Sequence, residues 1–170
     1  AREFLKTDKT IQINVGEVNV LVANSDITQH IVLCREDEKL KQLQDILDKM
    51  MKNDGSSSSK NSTTTTAAAA AAVNSTKTHA KTIVFCAKKI SCHNLANTLW
   101  DEGYAVDSLH GDRPQWERTQ VMNAFKTGVL NLLVATDVAA RGLDVKDVEC
   151  VVNYDMPGNV EDYVHRIGRT

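Results

Sequence analysis

The stretch Ala135-Thr136-Asp137-Val138-Ala139-Ala140-Arg141-Gly142-Leu143-Asp144 decides the fold. It follows the apolar run Val129-Leu130-Asn131-Leu132-Leu133-Val134, which reads as a buried strand. A strand that ends in small and polar residues delivers them to the carboxyl edge of its sheet. In open α/β sheets that edge is where ligands bind. Thr136 can offer a hydroxyl to a phosphate oxygen, and Ala139 and Ala140 keep the surface low. Gly142 permits a turn or a close backbone approach. Asp144 is a pure acceptor, suited to sugar hydroxyls.

Outward from this stretch, strand and helix patterns alternate. Thr10 to Val15 alternates apolar and polar residues as a half-buried strand does, and Ile27 to Cys34 is a second strand candidate that includes His30. Asp37 to Met51 reads as a helix whose apolar stripe is Leu40, Leu43, Ile46, Leu47 and Met50. Thr82 to Cys86 is a short β-branched run and so a central strand. A helix follows over Lys88 to Glu102, with Leu95, Leu99 and Trp100 inward and Gly103 as its stop. Tyr104 to Leu109 is the next strand, and His110-Gly111-Asp112 turns at its end. Pro114 starts another helix, with Val121, Met122 and Phe125 inward and Gly128 at its end. After strands Val129 to Ala135 and Val148 to Tyr154, Asn159 caps a short helix over Val160 to Ile167. Strands alternating with helices of this length predict an α/β fold, a parallel sheet flanked by helices.

Lys52 to Lys81 interrupts the pattern with runs of serine, threonine and alanine. It holds almost no apolar bulk, so ordering it would cost entropy without compensation. It reads as a disordered low-complexity insert within a domain spanning residues 10–170, with residues 1–9 a linker from a preceding unit.

The 170 residues are 42% apolar and 25% charged, ordinary for a globular domain. No apolar run approaches the roughly 20 residues of a membrane span. The cysteines Cys34, Cys86, Cys92 and Cys150 form no Cys-x-x-Cys pair, which argues against zinc and for small buried hydrophobes in a reducing, intracellular compartment, nuclear or cytoplasmic. Net charge is −2, from 20 basic and 22 acidic residues, so nucleic-acid contact would have to be local. Gln115 and Arg118 share a helix face beside a helix N-terminus. There Arg118 either clamps a backbone phosphate or pairs with a surface carboxylate. Asp137 and Arg141, four apart, invite an internal ion pair.

The quoted stretch, with His110-Gly111-Asp112, Gln115-Trp116-Glu117-Arg118 and His165-Arg166-Ile167-Gly168-Arg169-Thr170, resembles the C-terminal RecA-like lobe of DEAD-box ATP-dependent RNA helicases. The resemblance runs from about Ile11 to Thr170 outside the insert, with the motifs in the family's order. It implies RNA contacts at Gly111, Arg118, Thr136 and Lys89, a ribose contact from Asp144, and Arg169 at the γ-phosphate of ATP. His165 and Arg166 would support Arg169 in catalysis. Phosphoryl transfer is catalysed mainly by positioning and charge stabilisation, which such donors supply. The family's usual Thr-Lys after the Ile-Val-Phe strand is Lys88-Lys89 here, so its hydroxyl contact is replaced by a lysine. The family motif continues past Thr170 with a further Gly-Arg, so one arginine and the closing strand are expected beyond this sequence.

No glycine is followed by lysine, so the chain has no phosphate loop, and it lacks the Asp-Glu-Ala-Asp run that would organise magnesium. The resemblance therefore implies an N-terminal RecA-like lobe as partner, with ATP and magnesium held between the two and this lobe inactive alone. Two other readings remain open at this stage: a DNA helicase lobe, and a protein-interaction module without chemistry.

Overall fold

The computed structural model describes residues 24–53, 80–140, 145 and 147–170. The strand expected at Thr10–Val15, most of the insert, and Arg141, Gly142 and Asp144 lie outside the described residues. Within them the elements are α1 (Lys39–Asn53), β1 (Thr82–Phe85), α2 (Lys89–Asp101), β2 (Val106–Leu109), α3 (Gln115–Lys126), β3 (Leu132–Ala135), α4 (Asp137–Ala140), β4 (Cys150–Asn153) and α5 (Val160–Ile167). A 3-10 turn at Glu36–Glu38 leads into α1.

The four strands form one parallel sheet in the order β2-β3-β1-β4. β1 and β3 are buried along their whole length, as inner strands covered on both faces must be. The register puts Val84 beside Val134 and Phe85 beside Ala135, and the pleat then sorts the side chains into two cores. Val84, Val106, Leu132 and Val134 pack with Leu43 and Leu47 of α1 and with Leu95 and Leu99 of α2. On the other face Ile83, Phe85, Leu109 and Leu133 pack with Val121 and Phe125 of α3 and with Ala139 and Ala140. Cys86 and Cys92 are buried, and burial pushes their thiols up to about 12 and about 11, so both stay protonated at neutral pH.

The helix ends follow the sequence closely. Gly103 takes φ +90 after α2; its N–H bonds to Trp100 O at 2.9 Å, and Tyr104 N–H bonds to Leu99 O at 3.1 Å. These are the paired bonds of a Schellman motif. Gly128 closes α3 with φ +78. The Asn159 side chain accepts from Asp162 N–H at 2.7 Å and so caps α5.

Three expectations are corrected. Ile27–Cys34 forms no strand: it is irregular and exposed, with Ile31 87% and Leu33 95% accessible, and His30 and Cys34 on the surface. β-propensity describes a side chain that fits a pleated, half-buried surface, and no described strand gives this run one. Trp100 points outward, 53% exposed, because Leu95 and Leu99 fill the buried stripe of α2. The third strand starts at Leu132, and Val129 lies on the surface before it. Among the described residues no helix is long and apolar enough to cross a membrane.

A Cβ at Gly103 would meet nothing within 4 Å, so only the backbone opposes substitution there. Gly103→Ala is expected to lower stability by about 1–2 kcal/mol, the cost of a left-handed residue with a Cβ, read from the urea midpoint.

Candidate nucleotide and nucleic-acid interface

All four strands run parallel, so their carboxyl ends converge at one edge of the sheet. From β2 that edge receives His110, Gly111 and Asp112; from β3, Thr136 and Asp137; from β1, Cys86 and Ala87; from β4, Tyr154 and Asp155. Among the described residues, Gly111 and Thr136 therefore come from separate strands to one edge of the sheet.

Beyond β2, Gly111 is exposed and lies beside Lys89, whose Cε is 3.9 Å from a Cβ built on the glycine. Lys89 Nζ meets Asp112 Oδ1 at 2.6 Å, and this lysine holds the Asp112 carboxyl below its ordinary range. Both side chains are open to solvent, so the pair is easily exchanged for another anion. Arg118 Nη1 donates to Gln115 Oε1 at 3.0 Å, one turn apart on α3. Its Nε is buried with no hydrogen-bond partner. Thr136 is buried, and its carbonyl accepts from Ala139 and Ala140 N–H at 3.1 and 2.9 Å, so its backbone starts α4.

His110 is 8% exposed and neither ring nitrogen has a hydrogen-bond partner. The His93 ring meets it edge-on at 6.0 Å. Desolvation lowers its pKa; Arg113, His93 and Lys89 push the same way, and Asp112 opposes them. The imidazole is thus neutral at pH 7.

At the other end of the edge sits the most buried ionic contact of the site. Arg166, on α5, is 2% exposed. Its Nε and Nη2 donate to Asp137 Oδ1 and Oδ2 at 2.6 and 2.7 Å. Nη1 donates to Asn153 Oδ1 at 2.9 Å and to the Asp155 carbonyl at 2.7 Å. The guanidinium lies over the Phe85 ring, 4.9 Å from its centre. Asp155 extends the network: its carboxylate accepts from Ala87 N–H at 2.9 Å and from Lys39 Nζ at 3.0 Å. Asp137 therefore pairs with Arg166; the Arg141 partner that its spacing suggested lies outside the described residues. Local spacing could not reveal this, because the partners are 29 residues apart.

This clamp seats the end of α5. His165 is exposed and Arg169 half-buried, and with Asp137, Arg166 and Asp162 they line a small cleft against Phe85. Its lining sets the basic side chains of His165 and Arg169 beside the carboxylates of Asp137 and Asp162. Asp144, the expected ribose ligand, lies outside the described residues.

The chain belongs to the helicase conserved C-terminal domain family, whose model matches residues 63–170. Within that family it is the RecA-like C-terminal lobe of the DEAD-box type. It is 43% identical over 159 residues to DEAD-box ATP-dependent RNA helicase 14 of Arabidopsis thaliana, covering 94% of this chain and 21% of that protein. It is 40% identical over all 170 residues to ATP-dependent RNA helicase DBP2 of Candida glabrata, covering 26% of it. Among solved structures, a DEAD box protein from Methanococcus jannaschii superposes with a TM-score of 0.65 at 35% identity, covering 86% of this chain and 33% of that one. Dbp5 of S. cerevisiae, bound to RNA and ADP BeF3, superposes at 0.58 with 30% identity, covering 79% and 29%. The chain spans about an eighth to a quarter of the length of the curated relatives it matches.

Two outcomes are expected of this site. Asp137→Ala strands a buried guanidinium and should cost about 3–5 kcal/mol of stability in urea unfolding, while Asp137→Leu with Arg166→Met should cost clearly less. For His110 the folded pKa lies below the unfolded value of about 6.5. The unfolded chain then binds the extra proton, so stability is full above pH 6.5 and falls as the pH drops below it. His110→Phe should flatten that fall in midpoints compared between pH 7.5 and 5.

Proposed function

We propose that this chain is the second lobe of an ATP-dependent DEAD-box RNA helicase, coupling ATP hydrolysis to the remodelling of RNA. The single observation that supports the reading most is the Arg166–Asp137 clamp. It ties α5, which carries His165 and leads on to Arg169, to the carboxyl ends of the strands from which Gly111 and Thr136 follow.

RNA backbone runs across Gly111, Lys89, Arg118 and Thr136. Gly111 admits a phosphate close to the main chain. Lys89 releases Asp112 to meet a phosphate as a point charge, and Arg118 brings a guanidinium already oriented by Gln115. Thr136 is the least accessible of these groups and contributes a contact at the strand end.

ATP bound between the lobes supplies the phosphoryl group whose transfer to water drives the cycle. Its ribose is received by Asp144. Arg169 points its donors to the charge that develops on the phosphoryl oxygens, and His165 flanks it. Arg166 is a positioning residue: its donors are spent on Asp137, Asn153 and Asp155, and it holds the backbone that presents His165 and Arg169. Magnesium ligands and the phosphate loop belong to an N-terminal RecA-like lobe. Closure of the lobes over both ligands completes the site and makes RNA binding and hydrolysis interdependent.

The deciding measurement is the ATPase rate of the full-length protein without nucleic acid, with single-stranded RNA and with single-stranded DNA. RNA-specific stimulation is expected. Equal stimulation by DNA would favour a DNA helicase, and no turnover under any condition would favour an interaction module. Arg169→Ala should reduce turnover by roughly 10³-fold or more with little change in RNA affinity. Arg118→Ala should weaken RNA binding and lower the slope of log K against log salt by about one unit. This chain by itself should show no ATPase.

A further inference from the structure

Residues 28–38 carry the chain into α1 and are exposed throughout. Two polar contacts nevertheless attach this segment to the lobe, and both end at the α5 clamp. At one end the Tyr163 hydroxyl, on α5, donates to Gln29 Oε1. At the other, Lys39, the first residue of α1, meets Asp155 Oδ1 at 3.0 Å through side chains that are 23% and 22% exposed. The partners are 134 and 116 residues apart, so neither contact is a product of local spacing.

Asp155 stands where these contacts meet the clamp. Its N–H donates to Phe85 O at 3.1 Å and its carboxylate accepts from Ala87 N–H at 2.9 Å, which fixes it to the end of β1. Its carbonyl accepts from Arg166 Nη1 at 2.7 Å. Lys39 holds its other carboxylate oxygen. That ammonium is braced by Glu36 at 2.9 Å and lies over the Tyr154 ring, 5.4 Å from its centre. Burial pushes the Asp155 carboxyl up, but Ala87 N–H and Lys39 outweigh it and keep the group ionised at neutral pH. A partly buried carboxylate that loses its cation must shift toward water, and the carbonyl on which Arg166 depends shifts with it. Tyr163 lies three residues before Arg166, on the same side of α5, so Gln29 steadies the face that carries the clamp.

We infer that Lys39 and Asp155, with Gln29 and Tyr163, are positioning residues for ATP hydrolysis: the segment entering the lobe straps α5 in the orientation from which Arg169 meets the phosphoryl group. The inference rests on the role proposed above for Arg169. The strap works through polar contacts and not through burial, since Ile31 and Leu33 between its two ends are 87% and 95% exposed. Both ends converge on one eight-residue helix and its clamp. Phosphoryl transfer depends on how closely donors are held in place, so loosening the strap should cost turnover far more than ligand binding.

The test compares the full-length protein with its Lys39→Met, Lys39→Arg and Tyr163→Phe variants in RNA-stimulated ATPase assays, with Arg169→Ala as the reference. Lys39→Met should lower kcat by roughly tenfold or more and leave KM for ATP and RNA affinity within about twofold. Lys39→Arg, which keeps the charge, should recover most of the rate. Tyr163→Phe removes one hydroxyl and no carbon; it should lower kcat in the same way, and it decides the matter if Lys39→Met fails to fold. In Lys39→Met and Tyr163→Phe the Gly168 and Arg169 amides should exchange faster, while those of β1 and β3 keep the parent's rates. Unchanged kcat in either folded variant would overturn the inference. So would a Lys39→Arg variant as slow as Lys39→Met, a loss that appears equally in KM, or faster exchange that spreads through the sheet. Arg169→Ala turning over like the parent would overturn the role of Arg169 itself, and this inference with it.

Discussion

The buried guanidinium of Arg166 is the contact on which the functional edge of the lobe depends. A charge taken out of water is tolerated only when it is paired and its hydrogen-bonding groups are met. Asp137 neutralises it with two bonds, Asn153 and the Asp155 carbonyl take the remaining nitrogen, and Phe85 covers its face. Those partners sit at the ends of β1, β3 and β4, so one side chain from the last helix ties three strand ends together. Because the strands are parallel, their ends are also where ligand-facing residues emerge. The device that stabilises the edge is thus the device that orients it.

The edge divides into two regions of different burial. Around Arg166 the polar groups are buried and mutually engaged, so His165 and Arg169 project from a fixed base. Around Gly111 the groups are exposed: Lys89 and Asp112 pair in water, and Arg118 leans on Gln115. Exposed pairs contribute little to stability and exchange partners readily. His110 lies behind the exposed region, buried and neutral, where it packs without adding charge.

Much of this was legible along the chain. The apolar runs gave the inner strands, because a strand covered on both faces must be apolar throughout. Gly103, Gly128 and Asn159 marked helix ends, because left-handed backbone and exposed N–H groups select those residues wherever they occur. The motifs gave the family and the edge. Less legible were features that depend on what lies alongside. Ile27–Cys34 has strand composition yet stays irregular, since composition cannot provide a neighbouring strand. Trp100 looked like a core residue by size, but its angular place on α2 turns it to the groove that Trp116 shares.

The sequence by itself determined the alternation of strand and helix, the two-sided burial of the sheet and the motif residues that define a helicase C-terminal lobe. These follow from periodicity and local backbone preference, which act over a few residues. The tertiary structure alone decided the partners: Asp137 with Arg166, Lys89 with Asp112, Lys39 with Asp155, and two tryptophans lining one groove. Charges and apolar surfaces act through space, and the neighbours they find are set by how the strands are ordered in the sheet, not by their order along the chain.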